Sequence, residues 1–322
     1  MRPNPLLPLV LLLAACGGGT NSSSNLADAL TVDMASPAID AAPDGGSTTA
    51  RDPALDGDAT VTTSMATIPG AVAGRMLQAT IYTPSTAGAR PVVVISPGFQ
   101  MQRTQYVSYA RHLATWGFVV VLTDYAGGSL FPNHTTIATD VPAVITWALA
   151  QTALAIDPQK VAVAGHSLGG KISVFAASLD SRIKAVVAWD PVDSSSPSVA
   201  PEKMTGLSTA IAVIGETTNG SGGGMPCAPT ADNYVAFYAA APAPAIAVTV
   251  VGADHMDWVD DPSCGVCGFC GPGSAPAERA RVVTRRLDVA WLRRYLLGDL
   301  AMDSWLDAPP ELAASEVTIS RR

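Results

Sequence analysis

Positive charge is sparse in this chain: 19 lysines and arginines stand against 27 acidic residues among 322, for a net charge of −8. Nowhere do the basic residues cluster as a phosphate backbone would require, which excludes nucleic acid as a partner. Long apolar runs are also missing. The stretch Leu6 to Ala15, with Pro5 in front of it and Pro8 within it, is too short and too broken to cross a bilayer as a helix. Histidine occurs only four times, so a general base that works near neutral pH has few candidates. What is abundant is apolar residues, 48% of the chain, enough for a sizeable core and incompatible with a disordered protein.

The first residues pair a short basic start, Met1-Arg2, with an apolar stretch and small residues before Cys16. This resembles a bacterial lipoprotein signal peptide over residues 1–15, with Leu13-Ala14-Ala15-Cys16 as the lipobox. The resemblance implies cleavage before Cys16, lipidation of its thiol and a membrane held through that lipid anchor. The location it implies is the bacterial cell envelope, at the outer membrane and periplasm or the cell surface, with Gly17 behind the cysteine favouring the outer membrane. An ordinary secretory signal with an incidental cysteine is the plainer alternative. Residues 16–60 hold mostly Gly, Ser, Thr, Ala, Pro and Asp, with seven aspartates against the single Arg51. Such a segment buries too little apolar surface to fold, so it is expected to be a flexible tether. The aspartates lack the regular period of a calcium-binding repeat.

From Val61 onward, short β-branched runs alternate with helical stretches, the pattern of a mostly parallel sheet covered by helices on both faces. Strands are expected over 74–83, Pro91 to Ser96, Phe118 to Thr123, Lys160 to Ala164, Ile183 to Trp189, Ala210 to Gly215 and Ala245 to Val251. Helices are expected across Thr104 to Trp116, Thr135 to Gln151, Leu168 to Ser178 and Pro276 to Leu297. The folded domain is placed at 61–308, with a C-terminal tail at 309–322. Gly165-His166-Ser167-Leu168-Gly169 closes the run Lys160 to Ala164, a buried strand breaking into a helix with serine at the break. That context makes the pentapeptide a nucleophile elbow and the fold class an α/β-hydrolase, whose catalytic residues sit at the carboxyl ends of strands.

The fold orders its triad as Ser, then an acid, then His, each after its own strand. Ser167 is the nucleophile. His255, in Gly252-Ala253-Asp254-His255 after the strand ending at Val251, is the base; His112 lies within a helix, His134 in a loop and His166 in the elbow itself. Asp190 follows its strand directly and Pro191 fixes the turn, which favours it as the acid over Asp193 and over Glu216 at the end of the next strand. Backbone amides of Leu168 and Phe99 are the expected oxyanion donors, because Gly98 lets the loop Ser96 to Gln100 turn toward the site. Tyr125, Trp189 and Trp258, at strand ends, are candidates for an apolar substrate wall beside Phe99. Between Val192 and Thr209 the chain is short and rich in Ser and Pro, which leaves no large lid. This chemistry calls for no cofactor and no metal.

Cys227, Cys264, Cys267 and Cys270 remain once Cys16 is set aside. An exported protein favours disulfides among them, in any of three connectivities, over a four-sulfur metal site.

The run Pro91 to Gly98, Trp116-Gly117-Phe118-Val119-Val120, the elbow with Gly170-Lys171, Asp190-Pro191-Val192, Pro226-Cys227-Ala228-Pro229 followed by Asn233 to Tyr238, and His255-Met256-Asp257 with Asp260-Asp261 resemble the chlorophyllase family. The early strands are also similar to dienelactone hydrolase and cutinase-like polyesterases. The resemblance implies hydrolysis of a carboxylic ester by Ser167, Asp190 and His255, on a small-molecule or polymeric ester. Two other functions use the same pocket: a non-catalytic lipoprotein binding an apolar ligand, and an acyltransferase using the same triad.

Overall fold

Valine, isoleucine and alanine crowd the central segments of the chain, and β-branched side chains suit a pleated surface packed on both sides. In the computed structural model, which describes residues 51–125, 132–194, 196–221, 227–262 and 267–322, these segments form the middle of a nine-stranded sheet. In chain order the strands are β1 (Val61–Pro69), β2 (Met76–Pro84), β3 (Arg90–Ser96), β4 (Val119–Thr123), β5 (Ile156–His166), β6 (Ile183–Trp189), β7 (Ala210–Glu216), β8 (Ala245–Val250) and β9 (Val317–Arg321). Their order in space is β1-β2-β4-β3-β5-β6-β7-β8-β9. The six strands from β4 to β8 run parallel, while β1, β2 and β9 are antiparallel additions at the edges.

Alternation along β3 divides the core. Val93 and Ile95 face one layer, which contains α1 (Val107–Thr115) and the long α5 (Ala277–Leu296). Val92 and Val94 face the other, built from α2 (His134–Ala150), α3 (Leu168–Leu179) and α4 (Tyr234–Ala240). Successive side chains in a strand point to opposite faces, so one fully apolar segment serves both layers. The short α6 (Asp303–Asp307) and α7 (Pro310–Ala313) precede β9.

Two boundaries differ from those expected. Residues 51–60, expected as the end of a tether, lie along the domain: Asp52 pairs with Arg286 of α5, Pro53 and Asp56 bond the buried His112, and the Trp116 ring N–H donates to the Leu55 carbonyl at 2.9 Å. Gly57 sits so close to the Thr115 carbonyl that no side chain fits there. Ion pairs and hydrogen bonds to a finished helical face hold this polar segment, which buries little of its own. The expected tail 309–322 supplies α7 and the edge strand β9, whose Val317 is buried against the core. β1 also went unforeseen, because its Ser, Thr and Met residues are mostly exposed and give no apolar alternation. Residues 1–50, with the expected signal, Cys16 and the rest of the tether, lie outside the described residues.

Candidate active site

Ser167 joins β5 to α3 with φ 55° and ψ −118°. A non-glycine residue pays about 1–3 kcal/mol for such a backbone, which its surroundings must impose. The imposition is visible on either side, where a Cβ added to Gly165 would lie 2.5 Å from the Ser96 carbonyl oxygen and one on Gly169 closer still. Two further bonds hold the turn, the Ser167 N–H to the Trp189 carbonyl at 2.9 Å and the Val192 N–H to the Ser167 carbonyl at 3.3 Å.

His255 brings its Nε2 to 2.9 Å from Ser167 Oγ and its Nδ1 to 2.6 Å from Asp190 Oδ2. An ionised carboxylate can only accept, so Nδ1 carries the ring hydrogen and Nε2 is left free to take the serine proton. Asp190 is fully buried; burial pushes its carboxyl above the ordinary range, and the hydrogen bond and charge of His255 pull it back. Its backbone N–H donates to the Ile214 carbonyl at 2.7 Å, which fixes the turn after β6 to the neighbouring strand.

The two competing acids are occupied elsewhere. Asp193 pairs with the buried ammonium of Lys171 on α3 at 3.0 Å and accepts the N–H groups of Val199 and Ala200. Glu216 accepts the N–H groups of Thr218 and of Asn219, the latter at 2.8 Å. Burial, then the charge of Asp190, pushes the Glu216 carboxyl up to about 7.

Asn219 holds the loop that carries His255; in the sequence, an asparagine among Gly and Ser reads only as an ordinary turn residue. Its Oδ1 accepts the His255 N–H at 2.8 Å, and its Nδ2 donates to the Gly271 carbonyl at 3.0 Å. Beside it, a Cys227–Cys270 disulfide with a Cα–Cα distance of 5.4 Å joins the loop after β7 to the loop after β8. Cys264 and the side chain of Cys267 lie outside the described residues. Among the described residues, no group of three or more His, Cys, Asp or Glu side chains is placed to hold a metal.

A cleft of about 580 Å³ lies beside the elbow and reaches Leu168, the residue after Ser167; Phe99, Met101, Tyr125 and Ile137 share its lining with polar residues such as Gln100, Gln102 and Asn133. Leu168 begins α3, so its N–H is one of the free amides of a helix start, and Phe99 borders the same space. Of the expected aromatic wall, Tyr125 lines the cleft and gives its hydroxyl hydrogen to the Pro97 carbonyl at 2.6 Å. Trp189 and Trp258 do not line it, and the expectation is corrected. Both are wholly buried, Trp189 stacked on Tyr109 and bonded to Asp288, Trp258 bonded to Thr284 of α5. Large indole rings between a sheet and its covering helices bury more apolar surface by packing beneath the site than by opening into it. No lid helix occurs among the described residues of 192–209.

A family model described as Chlorophyllase matches residues 56–318. Chlorophyllase-1 of Arabidopsis thaliana is 28% identical over 250 residues, covering 69% of this chain and 76% of that protein. Chlorophyllase-2 of the same plant is 26% identical over 254 residues, with 69% and 78% covered. The chloroplastic Chlorophyllase-1 of Citrus sinensis is 28% identical over 240 residues, with 68% and 72% covered.

Proposed function

This chain belongs to the chlorophyllase family of carboxylic-ester hydrolases, and from that premise we propose that it is a serine esterase that cleaves an apolar ester through an acyl-enzyme. Ser167 Oγ attacks the ester carbonyl as His255 Nε2 takes its proton. The negative charge on the tetrahedral oxygen meets the amides of Phe99 and Leu168, each worth roughly 3–4 kcal/mol in the transition state. The ester C–O bond then breaks, the alcohol leaves with the proton from His255, and a water deprotonated by the same ring attacks the acyl-enzyme and frees the acid. Asp190 keeps the imidazole in the required tautomer and stabilises it while charged.

The observation that carries this reading is the unbroken chain Ser167 Oγ, His255, Asp190, at 2.9 and 2.6 Å, beside a cleft of mixed polar and apolar lining that reaches Leu168. The two charged residues in its lining, Arg75 and Asp124, are paired with Asp140 and Arg103, so the contacts left for an apolar acyl or alcohol group are Phe99, Met101, Tyr125, Ile137 and Leu168. The names of these relatives point to chlorophyll as one ester worth testing. We further propose that the protein is an envelope lipoprotein held through Cys16, a placement supported by the Cys227–Cys270 disulfide, since such bonds persist in oxidising compartments.

The test is Ser167→Ala assayed on p-nitrophenyl esters, chlorophyll and polyester films, with fluorophosphonate labelling in parallel. Wild type should turn over at least one ester and take the label, and the variant should lose both, with turnover down by about 10³-fold or more. A variant that retains turnover would refute the assignment. Labelling without hydrolysis, but with ester exchange in added alcohol, would assign acyl transfer instead.

A further inference from the structure

Beneath the reaction centre, two buried side chains connect catalytic segments that are far apart in sequence. The Gly98 N–H donates to Tyr106 Oη at 3.0 Å, Tyr106 Oη lies 2.9 Å from His166 Nδ1, and His166 Nε2 lies 2.9 Å from the backbone carbonyl of His255. Tyr106 and His166 have no exposed surface.

Chemistry fixes the direction of every hydrogen in this chain. A carbonyl only accepts, so His166 Nε2 carries a hydrogen. Burial, and then the adjacent His255, holds the His166 imidazole well below its usual pKa, so the ring is neutral and has one hydrogen to give. Its Nδ1 must therefore accept, and Tyr106 spends its single hydroxyl hydrogen there while its oxygen receives the Gly98 N–H. Met101 Sδ also lies close to Tyr106 Oη, at 2.7 Å, and is the competing acceptor for the one hydrogen that the neutral His166 ring claims.

Each end of the chain is a working part. Gly98 precedes Phe99, whose amide the proposed mechanism assigns to the oxyanion. His255 is the base, and His166 itself precedes Ser167. A Cβ on Gly98 would lie 2.9 Å from Met101 Sδ, 3.0 Å from Tyr106 Oη and 3.1 Å from His166 Nδ1, so glycine here leaves room for the two side chains as well as for the turn. Two apolar rings would fill the same space without the desolvation cost of burying a phenol and an imidazole. Here that cost is offset only because every polar atom finds a partner, and the outermost partners are backbone groups of the two catalytic loops.

We propose that Tyr106 and His166 are positioning residues: a directional hydrogen-bond relay that sets the spacing between the oxyanion loop and the base's loop around Ser167. The relay rests on the esterase reading above. Neither residue touches substrate; each acts through Gly98 and His255.

The experiment compares wild type with Tyr106→Phe, His166→Phe and the double variant. It measures kcat and KM on the best p-nitrophenyl ester, affinity for phenylboronic acid as a tetrahedral mimic, and the unfolding midpoint, with kinetics run well below that midpoint. Each single variant should lose about tenfold in kcat with KM within about twofold. Boronic acid affinity should fall by a similar factor. Breaking the relay twice should cost little more than breaking it once, so the double variant should fall within about threefold of the worse single variant. His166→Gln, which keeps a donor for the His255 carbonyl, should recover part of the loss. Single variants within twofold of wild type in kcat would overturn the relay, and so would a double-variant loss equal to the product of the singles. If His166→Phe does not fold, Tyr106→Phe, which removes one oxygen, decides by the same kcat criterion. A wild type that hydrolyses no ester and takes no fluorophosphonate would overturn the esterase reading and the relay together, whereas an active wild type with unaffected variants overturns the relay alone.

Discussion

Replacing Glu216 with glutamine should change the pH dependence of stability more than it changes stability at any one pH. The side chain is 2% exposed. One carboxyl oxygen receives the amides of Thr218 and Asn219, and among the described residues the other meets no donor. Burial, then the charge of Asp190, raises its pKa from an ordinary 4.5 to about 7, with His255 opposing that shift. An acid of this kind keeps its proton in the folded state after the unfolded chain has released it. Folding therefore loses ground as pH rises from 4.5 to about 7, and the loss is complete above that window. The gap corresponds to about 3 kcal/mol. Glutamine carries no charge at any pH, and any fixed cost of its buried amide is the same at every pH. The difference in unfolding free energy, variant minus wild type, should thus move in the variant's favour by about 2–3 kcal/mol between pH 4.5 and 8. Urea denaturation across that range measures it, and parallel curves for the two proteins would refute the electrostatic argument.

Two further perturbations follow from the clamps around the site. Lys171→Met strips the buried partner from Asp193, leaving a carboxylate among dipolar donors, and should cost about 3–5 kcal/mol. Adding Asp193→Asn should recover part of that loss, and a change below about 1 kcal/mol in the single variant would show the pair to be dispensable. Cys227→Ser opens a bridge between residues 43 apart in sequence, which a chain-entropy argument values at about 4 kcal/mol. Calorimetry should record a midpoint lower by about 8 °C or more, with kcat reduced severalfold because Asn219 and His255 sit beside the bridge. A midpoint unchanged within about 3 °C would show that the noncovalent bonds alone hold these loops.

The central fold is legible in the sequence because β3 to β8 are short apolar runs and the helices between them carry stripes that match both faces. The serine and the histidine are legible for a different reason. Strained turns demand glycine on either side of Ser167, and only one of four histidines follows a strand at the right place. Less legible is what a residue touches once folded. Trp189 and Trp258 occupy the positions expected of a substrate wall, yet their rings turn into the core, where Tyr109, Asp288 and Thr284 receive them. Asn219 and Tyr106 matter through hydrogen bonds to other loops and to a buried side chain, a relation that leaves no periodic trace. The edge strands β1 and β9 are not legible in the sequence, because an edge strand buries one face at most and carries a polar pattern.

The segment 51–59 also decides how the domain takes a pull on its N-terminal end. Asp52 grips the Arg286 guanidinium with both oxygens at 3.0 Å, and Arg286 in turn is bonded to Glu311. Leu55, Asp56 and Gly57 are then bonded to Trp116, His112 and Thr115 before the chain reaches β1. Tension applied upstream of Arg51 would meet these cross-links before β1, with the load passing to α5 and to α1 with the turn after it. The exposed first strand, which a direct pull would peel from its neighbour one rung at a time, is shielded behind them.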